Sequence, residues 1–399
     1  MNKRVLIYSD RLLPGSETFV RKQAAALDRY EHVFAGSRMT SDCPLERDRC
    51  ITLNDGGASG LAREVLYKYF GFSPRFQERI AAAGVDLVHV HFGHAATTFL
   101  PIWRHLSVPL VVTFHGMDAT TTDEWKDSIF HPMMRSYPRR KPELKMSASL
   151  FIAVSEFIRS KLIADGFPER KTKVHYIGVE DPGKRNRSGD TGSKAVLFVG
   201  RLVRVKGVEY FIRAMQRVQS RYPEARAVII GDGPLREEME NLAEDRLSNY
   251  EFLGLRPHRE VLEWMQRARV LCAPSTRCDS GAEEGFGLVL AEAQAAGLPA
   301  VGFATGGITE AIEDGMTGYL AAPEDVCSMA EYLSLLIGSG DLWQTMSAAA
   351  RHRATREFNL KRQTRTLEAL YDTVCESWQD QPENALQTSE RKHVHGYVH

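Results

Sequence analysis

The chain has 399 residues, with 51 Lys and Arg against 51 Asp and Glu, and it is 43% hydrophobic and 26% charged. This composition is that of an ordinary globular protein, and it excludes the collagen-like, low-complexity and disulfide-scaffold classes. Zero formal net charge argues against a dedicated nucleic-acid binder, because such proteins need a surplus of Lys and Arg. At about 150 residues per domain, the length predicts two or three hydrophobic cores.

Three features of the sequence indicate the cellular compartment in which the protein is expected. The basic segment Met1–Asp10 has an apolar run too short for a signal peptide and is predicted to be a strand. Six cysteines without a C-x-x-C pair indicate free thiols in a reducing compartment. The sequence contains no uninterrupted run of about 18 apolar residues, so we predict no membrane-spanning helix. We therefore expect a cytoplasmic protein, with peripheral contact to the inner face of the cytoplasmic membrane left open.

In the first half of the chain, short β-branched runs alternate with helical periodicity, which predicts a parallel sheet flanked by helices. A helix is predicted over Ser16–Leu27, because Pro14-Gly15 turns the chain and Ser16 can cap the free N–H groups. The predicted strands are Val5–Tyr8, His32–Ala35, Leu87–His91, Leu110–Phe114, Leu150–Val154 and Val174–Ile177.

A polar, glycine-containing segment from Glu180 to Ser193 predicts a solvated linker between two domains. After it the alternation restarts, and a helix is predicted from apolar residues at i, i+3, i+4 and i+7 spacing, namely Val208, Phe211, Ile212, Met215 and Val218. The predicted strands of this half are Val196–Val199, Ala227–Ile230, Phe252-Leu253, Val270–Ala273, Pro299–Phe303 and Gly318–Ala321.

The loop after the first strand of the second half carries Arg201 and Lys206 and leads directly into a helix. Helix N-termini favour anions, and an Arg fork with a mobile Lys can neutralise a diphosphate. A solvated basic turn is the alternative interpretation of this loop.

A second loop runs from Glu284 through Gly285-Phe286-Gly287 into a helix that contains Glu292. Its glycines leave backbone N–H groups accessible to a phosphate or a sugar hydroxyl, and the two carboxylates can accept hydrogen bonds from hydroxyls. The alternative interpretation is that Glu284 and Glu292 are exposed acidic residues that bind no ligand. For Glu292 this alternative is weak, because apolar neighbours predict a buried helix in which an unpaired carboxylate would be costly.

These stretches resemble the retaining nucleotide-sugar glycosyltransferases of family 4, which have the GT-B fold. The motifs in the second half are Gly200-Arg201-Leu202 with Lys206-Gly207, Gly231-Asp232-Gly233-Pro234, Glu284 to Glu292, and Gly306-Gly307-Ile308-Thr309-Glu310. Three looser motifs in the first half are similar to enzymes that build bacterial exopolysaccharides such as colanic acid, amylovoran or xanthan: Pro14–Phe19, His89–Gly93 and His115–Asp118. The resemblance implies an α/β protein with two Rossmann-like, doubly wound parallel-sheet domains facing a deep cleft.

The resemblance also implies the domain limits and the roles of individual residues. The N-terminal domain spans 1–180 and binds the acceptor, 181–193 is the linker, and 194–355 binds the donor. A helix at 356–378 crosses back to the N-terminal domain, and the polar tail 379–399 is expected to be disordered.

Donor contacts are implied, with Arg201 and Lys206 at the diphosphate, Glu292 at the ribose and Glu284 at the sugar. The full donor set is Gly15, Arg201, Lys206, Gly233, Leu255, Glu284, Gly285, Phe286, Gly287, Leu288 and Glu292. The catalytic set is His115, Glu284, Arg201 and Lys206, with His115 near the reacting face of the sugar. One departure concerns Gly15-Ser16, which stands where many relatives have a Gly-Gly pair, although a Gly-Ser turn can still offer N–H groups to the diphosphate.

His89 and His91 share one face of a predicted strand, but two histidines without a third ligand make a poor metal site. We therefore expect no metal and no other cofactor, with His91 facing the cleft and His89 structural. Two stretches that mix cations with aromatic residues, Arg63–Arg79 and Met133–Lys145, could contact the acceptor or anionic lipid. An ordinary amphipathic helix and a solvated loop explain them nearly as well. The acceptor or membrane set is Arg63, Lys68, Arg75, His91, Arg139 and Arg140.

The function expected from the resemblance is transfer of a sugar from a UDP-, GDP- or ADP-linked donor to a hydroxyl of a lipid-linked saccharide, with retained anomeric configuration and without metal. The setting would be exopolysaccharide or cell-envelope glycan synthesis, and no nucleic-acid partner is expected. A nucleotide-sugar epimerase of the same fold and a non-catalytic nucleotide-sugar-binding protein are the alternatives. A dinucleotide-dependent dehydrogenase is disfavoured, because no G-x-G-x-x-G follows a strand.

Overall fold

A computed structural model describes residues 3–12, 17–40, 50–128, 132–183 and 194–381. This part of the chain forms two compact units. The first comprises the described residues within Met1–Val154, Ile158–His175 and Lys361–His399, and the second comprises Ser155–Phe157 and Tyr176–Leu360. The division therefore begins the second unit at Tyr176, shortly before the predicted boundary, and assigns the end of the chain to the first unit. Most of the predicted linker and tail, residues 184–193 and 382–399, lies outside the described residues.

The first unit is built on a parallel sheet, as the alternation of strand and helix predicted. Its described strands follow the order β2-β3-β1-β5-β6-β7-β8, and β4 pairs with β3. They are Lys3–Tyr8 (β1), Arg11–Leu12 (β2), Tyr30–Met39 (β3), Cys50–Asn54 (β4), Leu87–His91 (β5), Leu110–Phe114 (β6), Leu150–Ala153 (β7) and Thr172–Val174 (β8). Every residue of the central strands β5 and β6 is buried, which explains the nearly continuous apolar sequence of β6.

Helices connect these strands and cover the sheet. In chain order they are Thr18–Ala25 (α1), Gly57–Phe70 (α2), Pro74–Ala82 (α3), Gly93–Trp103 (α4), Met117–Thr120 (α5), Asp123–Ser128 (α6), Pro132–Ser147 (α7) and Glu156–Ala164 (α8). The predicted helix at 16–27 is thus present over Thr18–Ala25, while Ser16 lies outside the described residues.

The second unit has a parallel sheet of its own, whose described strands follow the order β11-β10-β9-β12-β13-β14. They are Ala195–Val199 (β9), Arg226–Ile230 (β10), Tyr250–Gly254 (β11), Val270–Ala273 (β12), Ala300–Phe303 (β13) and Gly318–Ala321 (β14). Because β9 lies between β10 and β12, the strand order reverses beside β9. Ligands of such sheets bind at this switch point, beyond the carboxyl ends of the strands.

The helices that follow complete the chain. They are Val208–Arg221 (α9), Arg236–Arg246 (α10), His258–Arg267 (α11), Leu288–Ala295 (α12), Ile308–Ala311 (α13), Val326–Gly338 (α14), Gly340–Arg353 (α15) and Leu360–Gln379 (α16). The five apolar residues that predicted α9 are all buried in the core of the second unit. From Lys361 on, α16 belongs to the first unit, where Leu367, Tyr371 and Val374 are part of the core.

Three details of the strand prediction were wrong, and one of them is the two-residue strand Arg11–Leu12, which was missed. The strand Cys50–Asn54 was missed, since it is short and follows four charged residues. The strand predicted over Val174–Ile177 instead ends at Val174. Beyond that point Tyr176 leaves the sheet, and its ring lies 5.4 Å from Phe286 and 5.6 Å from Phe358 in the second unit.

Candidate functional site

The Arg201 and Lys206 loop lies at the carboxyl end of β9, beside the switch point of the second sheet. The loop ends in a short 3-10 turn, Arg204–Lys206, and Gly207 then adopts a left-handed conformation with φ 67° at the start of α9. A Cβ at Gly207 would come within 1.8 Å of the Pro274 carbonyl oxygen, so only glycine allows this close approach. The packing of these two loops therefore fixes where the Lys206 side chain begins.

Lys206 forms an ion pair with Glu284, the first carboxylate of the second predicted loop. Ser275, which follows β12, donates a hydrogen bond of 3.3 Å from Oγ to the same carboxylate oxygen. All three side chains line one cavity, together with Gly287 at the start of α12. The structure thus brings together a cation and a carboxylate that are 78 positions apart in the sequence.

The Glu284 loop is held by the Gly-Gly turn that the sequence motif singled out. Gly307 donates its N–H to the Glu284 carbonyl oxygen at 2.9 Å. A Cβ at Gly307 would lie 2.1 Å from the Gly285 carbonyl oxygen, so a side chain would push the two loops apart. Glu310 in the same motif accepts the backbone N–H groups of Glu156 and Phe157, at 2.7 and 2.6 Å. This motif is therefore structural in the geometry seen here.

Glu292 lies on α12 with only 15% of its side chain exposed. His258 Nε2 donates to its Oε1 at 2.7 Å, from the first residue of α11. The expectation that a carboxylate on this buried helix needs a partner is confirmed. Sequence reasoning missed His258, because a histidine after Pro257 at the start of a helix has no distinguishing pattern.

The remaining donor residues have varied settings. Arg201 is exposed, and in the described part of the chain its guanidinium has no hydrogen bond or ion pair. Leu255 is 77% exposed in the loop after β11, whereas Phe286 is 2% exposed and its ring packs in the core. Leu288, the first residue of α12, is partly buried. A Cβ at Gly233 would lie 2.5 Å from the Leu202 carbonyl oxygen.

Phe286 can thus contribute only backbone groups to a ligand, and Gly233 is explained by loop packing. Gly15 lies outside the described residues.

In the first unit, His91 ends β5 and His115 follows β6, so both lie at the carboxyl edge of the sheet. His91 Nδ1 lies 2.9 Å from His115 Nε2, within hydrogen-bond distance. His89 is instead bonded to Tyr371 and Thr113, at 2.6 Å each, as expected of a structural histidine. Strand periodicity alone could not show that the neighbouring strand β6 places His115 beside His91.

Burial dominates the electrostatics of this histidine pair. It lowers the pKa of His91 to about 3 and lowers the pKa of His115 well below its ordinary value. Both rings are therefore neutral near pH 7. A neutral imidazole offers one donor and one acceptor, which suits a hydroxyl better than an anion.

Asp118, which is 1% exposed, holds the backbone around these histidines. Its Oδ1 accepts the N–H groups of His115 and Gly116 at 3.2 and 3.0 Å, and its Oδ2 accepts that of Gly93 at 2.9 Å. This explains the His-Gly-x-Asp spacing from His115 to Asp118, whose aspartate had no assigned role in the sequence analysis.

The predicted acceptor or membrane cations do not form one exposed group. Lys68 is only 12% exposed and binds Asp10 and Glu64 at 2.9 and 2.8 Å. The Lys68 amine is therefore already paired with two largely buried carboxylates, while its proposed contact with the acceptor or lipid stays a prediction. The others are Arg63, bound to Asp55 at 3.1 Å, Arg140, bound to the Thr97 carbonyl at 3.4 Å, and the exposed Arg75 and Arg139.

The described residues contain neither a cluster of metal-binding side chains nor a helix suited to crossing a membrane. No group of three or more His, Cys, Asp or Glu side chains in this part of the chain could hold a metal ion. Within the same residues, no helix combines the length and the apolar character needed to cross a bilayer.

Family models match both halves of the chain. Residues 14–181 match the model of glycosyltransferase family 4, and residues 182–353 match that of the group 1 glycosyl transferases. The chain belongs to this glycosyltransferase family. The family resemblance drawn from the Gly200 to Glu310 motifs is thereby confirmed.

Relatives of this glycosyltransferase include enzymes of polysaccharide synthesis. It is 30% identical to an uncharacterized glycosyltransferase of Methanocaldococcus jannaschii, over 67% of this chain and 70% of that one. It is also 30% identical to the amylovoran biosynthesis glycosyltransferase AmsK of Erwinia amylovora, over 70% of this chain and 67% of the relative. The putative colanic acid biosynthesis glycosyltransferase WcaL of Salmonella typhimurium is 27% identical, with coverages of 72% and 71%.

Solved structures confirm the GT-B fold of this glycosyltransferase. Anabaena HepE, whose crystal structure is in complex with UDP and glucose, superimposes with a TM-score of 0.72 at 19% identity, covering 93% of this chain and 100% of that one. Sucrose-phosphate synthase of Thermosynechococcus elongatus gives a TM-score of 0.71 at 20% identity, covering 94% and 100%.

Proposed function

We propose that this glycosyltransferase moves a sugar from a nucleoside-diphosphate donor to a hydroxyl of a lipid-linked saccharide, with retained anomeric configuration and without a metal ion. The observation that carries the proposal is the pairing of Lys206 with Glu284 in a cavity at the switch point of the second sheet. A cation there suits a diphosphate, and a carboxylate beside accessible loop amides suits sugar hydroxyls.

The donor is proposed to be a nucleotide sugar, with UDP as the first nucleotide to test. The HepE structures in complex with UDP and UDP-glucose support this choice through the shared fold. Glu292 is proposed to accept hydrogen bonds from the ribose hydroxyls, and its bond with His258 keeps one oxygen oriented. Exposed Leu255 lies in the loop where we propose that the base is bound through backbone groups.

The chemical step is proposed to take place on one face of the sugar. The bond from the anomeric carbon to the diphosphate oxygen breaks, and a bond to the acceptor oxygen forms on the same face. The acceptor proton passes to the departing diphosphate. Arg201 and Lys206 stabilise the negative charge that develops on the leaving group, a task that a metal ion performs in other transferases. His115 and Glu284 hold the sugar through hydrogen bonds.

The acceptor is proposed to be a lipid-linked saccharide, as the amylovoran and colanic acid relatives suggest. Helix α2 and the turn after it expose large apolar side chains, and Arg75 lies close by in sequence. The exposed residues are Leu61, Val65, Leu66, Tyr69, Phe70 and Phe72, and we name them the α2 patch. We propose that the α2 patch contacts the membrane surface that carries the acceptor, since exposed apolar groups of this size mark interaction sites.

Flotation with vesicles of phosphatidylglycerol and phosphatidylethanolamine tests the proposed membrane contact. We expect the wild-type protein to float with the vesicles and a Phe70→Ser/Phe72→Ser variant to lose most of that binding. The control is Leu335→Ser, which removes an equally apolar side chain that is 47% exposed on α14 of the second unit. Equal flotation of wild type and both variants would contradict a role for the α2 patch.

Donor turnover tests the proposed function. The purified protein is incubated with UDP-, GDP- and ADP-sugars and a lipid extract, in EDTA, and free nucleotide and glycosylated lipid are followed. We expect one of the donors to release its nucleotide, and to do so only when the lipid extract is present. Conversion of the donor to an epimer without acceptor would instead indicate an epimerase. Binding of the donor without any turnover would indicate a non-catalytic protein.

A further inference from the structure

The backbone that carries His115 is fixed by a buried carboxylate. Asp118 accepts the N–H groups of His115 and Gly116 on one oxygen and that of Gly93 on the other. The turn after β6 is thereby tied to the start of α4, so the Cα to Cβ direction of His115 is set. What stays open is how its ring is rotated and which ring nitrogen carries hydrogen.

The two ring nitrogens of His115 have different surroundings. Nε2 lies 2.9 Å from His91 Nδ1. Nδ1 is buried and, in the described part of the chain, has no hydrogen-bond partner. The rings of Phe19 and Phe92 pack against the imidazole, with centroids 5.1 and 4.7 Å away. A buried nitrogen that lacks a partner is unfavourable unless a ligand supplies one, so Nδ1 is the atom available to a substrate.

The His91 ring is itself held in place. It packs against the His89 ring at a tilt of 32°, with centroids 4.4 Å apart. Both nitrogens of His89 are bonded, one to Tyr371 and the other to Thr113, at 2.6 Å. His91 is therefore supported by a ring that cannot rotate without losing two buried hydrogen bonds. Its Nδ1 is presented to His115 from a defined direction.

We propose that His91 is a positioning residue that fixes both the ring rotation and the tautomer of His115, so that Nδ1 of His115 presents one defined hydrogen-bonding group to a substrate hydroxyl. In a neutral pair, one of the two facing nitrogens carries the hydrogen and the other accepts it. If His91 donates, His115 Nδ1 carries the remaining hydrogen; if His91 accepts, His115 Nδ1 has the lone pair. Without His91, both tautomers and both ring rotations become accessible. The inference rests on the proposed function in that His115 contacts the substrate.

The tautomer can be measured without turnover, by nitrogen-15 NMR of the histidine rings in the whole protein at pH 7.5. We expect His115 in the wild type to show one tautomer, with clearly separate Nδ1 and Nε2 shifts. His91→Leu should give averaged shifts from a mixture. His91→Asn should restore a single tautomer, since an amide group near the former Nδ1 position can still bond to His115.

The control for the spectra is His175→Asn, which alters a buried histidine of the same unit that is bonded to the Gln363 carbonyl instead. This variant should leave the His115 signals unchanged. Unchanged His115 signals in His91→Leu would overturn the proposal, as would an equally large change in His175→Asn.

A double-mutant cycle provides the kinetic test. We expect His91→Leu to lower kcat for sugar transfer roughly ten- to hundredfold, with a smaller effect in His91→Asn, because misplacing a contacting group by about 1 Å has effects of this size. In a His115→Ala background, His91→Leu should cause no further loss. Independent, multiplying losses would overturn the positioning role. If no donor is turned over, the proposed function fails, while the NMR result still decides whether His91 fixes the His115 tautomer.

Discussion

The candidate site of the second unit is charged, whereas that of the first unit is neutral. In the second unit Lys206 binds Glu284, and His258 binds Glu292. In the first unit two histidines bind each other, and burial keeps both uncharged near pH 7. The Lys206 amine suits a diphosphate and the two carboxylates suit nucleotide and sugar hydroxyls, whereas a neutral histidine pair suits a hydroxyl better than an anion. We therefore propose that the charged site of the second unit binds the nucleotide and that the histidine pair of the first unit contacts the sugar, and experiments can separate the two roles.

The largest effect is expected from loss of the second unit's cation. Lys206→Met should lower kcat/KM for sugar transfer by about 10²- to 10³-fold, because it removes a positive charge from the developing diphosphate. The measurement is the initial rate of nucleotide release. Arg204→Met, in the same exposed turn, is the matched control and should retain most activity. Equal losses in the two variants would show that general positive charge matters, and not the Lys206 position.

A smaller effect is expected at the second carboxylate. Glu292→Ala should raise KM for the donor about tenfold or more, since hydrogen bonds to a charged group contribute about 1.5–3 kcal/mol. His258→Asn should raise it less, because Glu292 stays in place but loses its orienting partner. Steady-state kinetics at varied donor concentration measure both. The control is Glu263→Gln on α11, whose carboxylate pairs with Arg259 on the same helix; a KM change there of equal size would contradict the ribose assignment.

The smallest effect concerns stability in acid, and it belongs to the first unit. Folding lowers the pKa of His91 from 6.5 to about 3, so below pH 6.5 the unfolded chain binds a proton that the folded chain does not. The free energy of unfolding should therefore fall as pH drops below 6.5, by at most about 1.4 kcal/mol per pH unit for each such histidine. His89 and His115, whose pKa values are also lowered by burial, act in the same direction.

Glu17 opposes this trend, because burial raises its pKa to about 7. Its folded form favours the proton, so its contribution to stability declines as pH rises from 4.5 to 7. Urea unfolding between pH 5 and 8 measures the sum. His91→Asn should make the acid loss less steep, and Glu17→Gln should make it steeper. Identical pH slopes in wild type and His91→Asn would contradict a neutral, buried His91.

The sequence predicted those parts of each site that lie in contiguous motifs, and it did not predict contacts between residues of distant elements. Lys206, Glu284 and Glu292 lie in motifs whose glycines and charges are contiguous, so their loops were recognisable before the fold was known. The residues that contact these side chains could not be predicted from the sequence. Ser275 lies in another loop and His258 begins α11, and only the strand order brings them to the site.

The first unit shows the same limit more strongly. The residue types of His91 and His115 suggested polar groups at strand ends, and both positions were correct. Their mutual bond depends on β5 and β6 being neighbours in register, with His91 opposite Thr113. Helical periodicity likewise does not reveal that Asp10, which follows β1, lies within reach of the Lys68 amine.

The proposal that the second unit binds the nucleotide and the first unit contacts the sugar is tested most directly by equilibrium binding of UDP. Calorimetry measures this binding for wild type, Lys206→Met, Glu292→Ala and His115→Ala. We expect the first two variants to lose at least tenfold in affinity for UDP, and His115→Ala to bind UDP as the wild type does, because UDP has no donor sugar for His115 to contact. Unaltered binding in Lys206→Met and Glu292→Ala, or an equal loss in His115→Ala, would contradict the assignment of the nucleotide to the charged site of the second unit.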